Sequence, residues 1–381
     1  MRHHLYNLDY KFVVPPMEFD KYTDRAMLQY CLGATMYMPG NKDFAQAIID
    51  QKYKGLTSMV MCFEDACKLE DVPAAEINSI ALLDTINEAI EMGKFEYKHL
   101  PLIFFRVRNV EQFKHFASML KPEHVKLITG FNFPKFNASN GEIYYAHLRE
   151  LNDKFGEILY GMPIIEDRCV AFKESRIQEL IGIKEIVDKY EDLVLNIRVG
   201  GTDFSSVFGV RRGMSYTIYD MLTVRGCLCD ILNVFTRDNQ YTVSGPVWEY
   251  FRAEKKMRFQ PLPEFDFTTA LIKHETILND AVDGLLRELI LDKANGFIGK
   301  TIIHPTHLNY VNGMLAVVRE EYEDALQVMN TSGGVIKSSG GNKMNEIGPH
   351  KNWAEKLYYR AQAYGVIENE RSYLQLFTSG N

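Results

Sequence analysis

The polar residues with most chemical potential stand at the ends of short apolar runs: Asn41, Glu64, Asp65, Arg106, Arg108, Lys135, Glu166, Asp167, Asp203, Lys300 and His304. Carboxylates from two neighbouring strands can share one hard divalent ion and leave sites free for water and substrate oxygens, and Glu166 and Asp203 fit that arrangement for Mg2+. Asp203 follows Gly200 and Gly201, where glycine lets a ligand approach the backbone closely. The rival reading is that both acids cap the helices that follow. Arg106 and Arg108 share one side of a strand by period two. Either would clamp a substrate carboxylate in a bidentate pair that lysine forms poorly, and surface ion pairing would use the same residues. Lys135 and Lys300 have the chemistry of a Schiff-base lysine, and His304, just before a proline, reads as a hydrogen-bonded structural residue.

These residues need a scaffold that gathers strand ends. Eight strand-length apolar runs recur: 33–40, 57–65, 101–109, 125–135, 160–167, 193–203, 240–247 and 297–305. Amphipathic helical stretches fill the gaps, including one long helical pattern over 270–295. Eight parallel strands with helical crossovers predict an α/β fold, a TIM (β/α)8 barrel whose strand C-termini converge on one face. An open doubly wound sheet shares the alternation. Residues 1–24 read as an N-terminal extension that wraps the barrel or starts a helix, 25–325 as the barrel, and 326–381 as a C-terminal lid and helical extension. Within the last, the Gly- and Ser-rich segment 331–350 is either a linker or a mobile lid that carries Lys343, Asn345, Glu346 and His350.

Bulk properties narrow the classes. Hydrophobic residues make up 46% and charged residues 24% of the 381, which is globular composition. The net charge of −7 is dispersed, without a basic block for a phosphate backbone, so nucleic acid is not an expected partner. No apolar run reaches the roughly 18 residues of a membrane span, and the N-terminus lacks the apolar core of a secretory signal, which makes the cytoplasm the expected location. The six cysteines are scattered and read as small buried residues.

The segments MYMPGN (36–41), CFEDA (62–66), FRVRN (105–109), PK (134–135), PIIED (163–167), RVGGTDFSSVFG (198–209), SGP (244–246) and GFIGKTIIHP (296–305) resemble, in this order, the citrate lyase β-subunit group of the aldolase/citrate lyase superfamily. The tail 333–366 looks like a divergent carbon–carbon bond lyase branch associated with tellurium-resistance stress operons, whose members are predicted to help make a nucleoside-like metabolite. The resemblance implies a magnesium-dependent lyase acting on a small 2-oxo or β-hydroxy acid, with Glu166 and Asp203 on the metal and Arg106 on the substrate carboxylate or keto oxygen. Arg108, Lys135, Gly200 and Gly201 are its further candidates for substrate contact, and Glu64, Asp65 and Glu346 for the general base. It also implies a homo-oligomer, usually a trimer, in which a lid acid reaches a neighbouring subunit; here the nearest acid is Glu346. The sequence departs from the pattern in three places. Cys62 stands where the family has an aspartate. Arg108 replaces an asparagine, and its extra charge suits a more anionic substrate, such as a phosphorylated one. Leu32-Gly33 replaces an arginine-serine pair, which puts coenzyme A or acyl-carrier binding in question. An acyl-CoA thioesterase and a non-catalytic metabolite-binding subunit are the alternative functions.

Overall fold

The computed structural model describes residues 1–252 and 267–378. Strands β1 (Ala34–Pro39), β2 (Ser58–Cys62), β3 (Leu102–Arg106), β4 (Ile128–Phe133), β5 (Tyr160–Ile165), β6 (Arg198–Val199) and β7 (Lys300–Ile302) form one parallel sheet in the order β6-β5-β4-β3-β2-β1-β7. β2, β3, β4 and β5 are buried at every position, as expected for parallel strands with helices outside and packed side chains within.

The remaining apolar run, 240–247, closes the ring without becoming a regular strand. Val243 bridges Ile197 beside β6, and Gly245 bridges Lys300 of β7, both in parallel. The backbone bonds Ile197 N–H to Thr242 O (2.9 Å) and Thr301 N–H to Gly245 O (3.2 Å) join the two edges. The pairing stops at Pro246, which has no N–H to continue a ladder. The architecture is thus a TIM barrel whose eighth staff is a pair of bridges.

The crossover into β7 departs from the single helical pattern over 270–295. Helices Phe267–Ile272 and Asp280–Ala294 are separated by a turn in which His274 adopts φ 58°. The Asn279 side chain caps the second helix, and the Asp283 carboxylate accepts the N–H groups of Ile277 and Leu278. Local polar side chains therefore restart the helix where periodicity reads straight through.

Residues 1–24 wrap the barrel and contain no helix; the first one, Arg25–Leu28, begins on an Asp24 cap. The Met1 ammonium donates to Phe19 O and Lys98 O, and buried His3 and His4 bond to the carbonyls of Cys31 and Tyr364. At the other end, Val317–Val318 pairs with Val366–Ile367, and a satellite core forms from Val317, Ala325, Val328, Ile347, Ala354, Leu357, Ala361 and Val366. The position 325/326 lies within the helix Arg319–Met329, whose Ala325 and Val328 belong to this satellite core. No helix among the described residues is long and apolar enough to cross a membrane.

Candidate active site

Glu166 follows β5 directly, and its side chain is only 4% exposed. Its Oε1 accepts the Lys135 N–H at 3.0 Å, a bond made possible because Lys135 takes the left-handed conformation (φ 47°) and turns its amide inward. On the other side lies Gly200, where an added Cβ would sit 2.2 Å from Glu166 Oε2. Only glycine leaves room for the carboxylate. Asp203, in the first turn of the short helix Gly201–Val207, lines the same cavity, and Gly201 packs its start against Pro246.

Among the described residues neither acid forms an ion pair, although the Arg106 charge lies near Glu166. Among the described residues the Asp203 carboxylate takes part in no hydrogen bond or ion pair, and the single hydrogen bond to the Glu166 carboxylate is from the Lys135 amide. Burial pushes the Glu166 carboxyl up to about 8, the Asp203 and Glu64 charges add to the rise, and Arg106 opposes it. Converging carboxylates of this kind match the oxygen donor set of a hard divalent cation. Helix capping belongs to the neighbour instead, since Asp167 accepts the Cys169 N–H at 2.8 Å. Gly200→Ala is expected to displace the Glu166 carboxylate. Divalent-cation affinity should fall at least about tenfold and stability by about 1–3 kcal/mol, as read by calorimetry and thermal melting.

Arg106, at the end of β3, faces the cavity beside this pair. Its Nη2 contacts Glu64 Oε2 at 2.6 Å and Asp65 Oδ2 at 3.0 Å, its Nε donates to Cys62 Sγ at 3.2 Å, and its guanidinium lies 5.6 Å from the Tyr37 ring centroid. Glu64 is also paired with Lys135. Burial pushes the Asp65 carboxyl up, but the Arg106 charge and its hydrogen bonds outweigh this and hold it below its ordinary value. Cys62, in place of an aspartate, accepts weak bonds from Arg106 Nε and from the Glu64 N–H.

Several strand-end candidates lie elsewhere. The chain leaves strand geometry at Val107, and Arg108 turns to donate to the carbonyls of Phe63, Glu64 and Cys67. Its charge braces the loop carrying Glu64 and Asp65 and does not line the cavity. Lys300 points outward by strand alternation and is buried against Glu288 and Asp292 of the last crossover helix. His304 stacks on Phe251 with ring centroids 4.0 Å apart, and Asn41 bonds to Asp71 at the surface. Glu346 is exposed on the hairpin formed by Val335–Lys337 and Met344–Glu346, which Lys343 ties to Glu320 and Asp324. The helix after it bonds to Asn239 and Gly296, at the N-terminal ends of the strands, so Glu346 is not brought to its own chain's cavity.

Other lining residues do not stand at strand ends. The cavity, about 640 Å³, is also bounded by Tyr37, Arg198, Arg211, Glu249 and Thr301. An arginine in the middle of the apolar run LVLNIRVGG was the available signal for Arg198, because a strand covered on both faces has no solvent side to receive it.

Residues 26–366 match the family described as C–C bond lyases of the TIM-barrel fold. No curated relative matches the sequence. Two solved structures share the fold at low identity. One is the protein CitE from Mycobacterium tuberculosis in complex with magnesium, acetoacetate and coenzyme A (TM-score 0.51, 15% identity, covering 87% of this chain and 99% of that one). The other is the magnesium/glyoxylate complex of Haloferax volcanii malate synthase (TM-score 0.52, 11% identity, 87% and 88% covered). The match over nearly the whole barrel, around a cavity with two carboxylates and a buried arginine, shows that this chain belongs to the C–C bond lyase family of the TIM-barrel fold.

Proposed function

We propose that the protein is a magnesium-dependent lyase that cleaves a carbon–carbon bond in a small 2-oxo or β-hydroxy acid. The observation that carries this reading is the placement of Glu166 and Asp203, neither in an ion pair among the described residues, beside Arg106 in one cavity. Glu166 and Asp203 would hold the ion. Magnesium, when bound, supplies Lewis acidity toward the substrate's carboxylate and carbonyl oxygens. The two similar structures were solved with magnesium and small oxo acids, which agrees with this choice.

Arg106 then has two roles. Its guanidinium binds the substrate's acidic head, and it stabilises the negative charge that builds on the carbonyl oxygen as the bond breaks. Glu64 and Asp65 fix its position. Asp65 lines the cavity and has one oxygen outside its bond to Arg106, so it is the acid placed to accept the β-hydroxyl proton. The exposed Glu346 would serve only in a neighbouring copy, which fits a homo-oligomer. The same reading places the enzyme in the cytoplasm, in the tellurium-resistance stress branch.

Pyruvate in deuterium oxide provides a test that does not depend on the natural substrate. The magnesium-loaded protein should exchange the methyl protons at least about 100-fold faster than buffer, and Glu166→Gln and Asp203→Asn should abolish the effect. Exchange that is absent, or that persists in a chelator, would contradict the reading.

A further inference from the structure

Arg198 is 1% exposed and crosses the barrel interior from β6. Its Nη1 donates to Thr35 Oγ1 (3.2 Å) and Ser244 Oγ (3.3 Å), and its Nη2 to Thr301 Oγ1 (2.5 Å). All three partners are neutral hydroxyls. Among the described residues no carboxylate lies within ion-pair distance, and Nε is buried without a hydrogen-bond partner. A guanidinium has five N–H donors, and these three bonds leave the Nε–H and one Nη2–H, on adjacent nitrogens, with the Tyr37 hydroxyl also beside the group. Two such donors match the bidentate geometry of a carboxylate or phosphate.

The surroundings point the same way. Arg198 lines the cavity that holds Glu166, Asp203 and Arg106, and its guanidinium lies 5.8 Å from the Tyr37 ring centroid, while that of Arg106 lies 5.6 Å from it. Both cations thus face one ring, within reach of one small molecule. The charge of Arg106 is matched by Glu64 and Asp65, whereas that of Arg198 is matched by no carboxylate among the described residues. Arg211 at the cavity rim is exposed and adds a second cation without an ion-pair partner among the described residues. The one further acid of the lining, Glu249, lies 3.8 Å from Arg212.

We propose that Arg198 is a second anion-binding point, so that the substrate is an oxo or hydroxy acid with a second acidic group, carboxylate or phosphate, at the end away from Glu166 and Asp203. This rests on the reading of those two acids as the metal site. It also relocates the preference for an anionic substrate from Arg108, whose charge is spent on backbone carbonyls, to a residue inside the cavity.

The test is calorimetric titration of the full-length protein, with and without magnesium, using pyruvate, oxaloacetate and 3-phosphonopyruvate, which share a 2-oxo acid head and differ at the far end. The parent should bind one of the two-acid probes about ten- to a hundredfold more tightly than pyruvate; which one identifies the second group as carboxylate or phosphate. Arg198→Met should reduce that preference to within about threefold while pyruvate binding persists. Arg198→Lys keeps a cation in the barrel but lacks the fork, and should lose most of the preference. The parent's own ratio does not depend on either variant folding. If all three acids bind the parent equally in magnesium, or a folded Arg198→Met keeps the preference, the Arg198 proposal is overturned and the metal reading stands. If none of the three binds in a magnesium-dependent way, both fall.

Discussion

Replacing Glu166 by glutamine is expected to raise the melting temperature of the metal-free protein at pH 8.5 and to remove its stabilisation by magnesium. The sign follows from linkage. The Glu166 carboxyl titrates near 8 in the folded chain, against an ordinary value of about 4.5, because burial and the Asp203 charge disfavour its ionised form. Between those values the folded state keeps a proton that the unfolded state has lost, so stability falls as pH rises, and above about 8 the cost is fully present. The cost is ~2–4 kcal/mol, equivalent to several degrees of melting temperature. Glutamine carries no such cost. Melting curves from pH 5 to 9 should therefore show a steeper decline for the parent than for Glu166→Gln, and magnesium should restore only the parent. Parallel curves would mean that Glu166 is not the strained group.

Arg106→Met is expected to lose both activity and stability, through separable causes. Removing a donor aimed at developing negative charge costs about 2.7–4 kcal/mol of transition-state stabilisation, or roughly 10²–10³ in the pyruvate exchange rate. Removing the cation also leaves Glu64 with Lys135 alone and Asp65 without its partner, and breaking a buried pair costs about 3–5 kcal/mol. The half-exposed Asp65 puts the expected loss at the lower end. Adding Glu64→Gln to Arg106→Met should recover part of the stability, read by denaturant unfolding, and none of the exchange. Recovery of exchange in the double variant would show that Arg106 only holds the loop together.

The barrel was legible because its strands are short apolar runs covered on both faces, and the helices between them carry their own period. What periodicity missed were local interruptions: Pro246 ends the pairing of the run 240–247, and Asn279 restarts a helix where the apolar pattern continues. In the site, strand ends identify Glu64, Asp65, Arg106, Lys135, Glu166 and Asp203; the fold brings Asp65, Arg106, Glu166 and Asp203 into one cavity because parallel strands finish on one face, and Glu64, bonded to Arg106, and Lys135, bonded to Glu64 and Glu166, stand beside it. The same logic failed where direction mattered. Lys300 stands one residue out of phase with the inward-facing Thr301, and Arg108 lies beyond the last paired residue of β3. Arg198 was passed over because its strand carries a cation in the middle, and only the closed barrel shows that three hydroxyls from other strands surround it. Glu346 shows the opposite limit, since a single chain brings it to no carboxylate of its own cavity.

The account rests on Glu166 and Asp203 holding a divalent ion, and magnesium calorimetry on four proteins tests this most directly: the parent, Glu166→Gln, Asp203→Asn and Asp84→Asn. The last probes the remaining grouping of possible ligands among the described residues, Asp84, Glu123 and His124, where Asp84 is already bonded to Lys121 and His124. The account predicts a single magnesium per chain, bound about 100-fold or more weakly after either of the first two substitutions and unchanged by Asp84→Asn. Binding that survives in both Glu166→Gln and Asp203→Asn, or that disappears with Asp84→Asn, would contradict it.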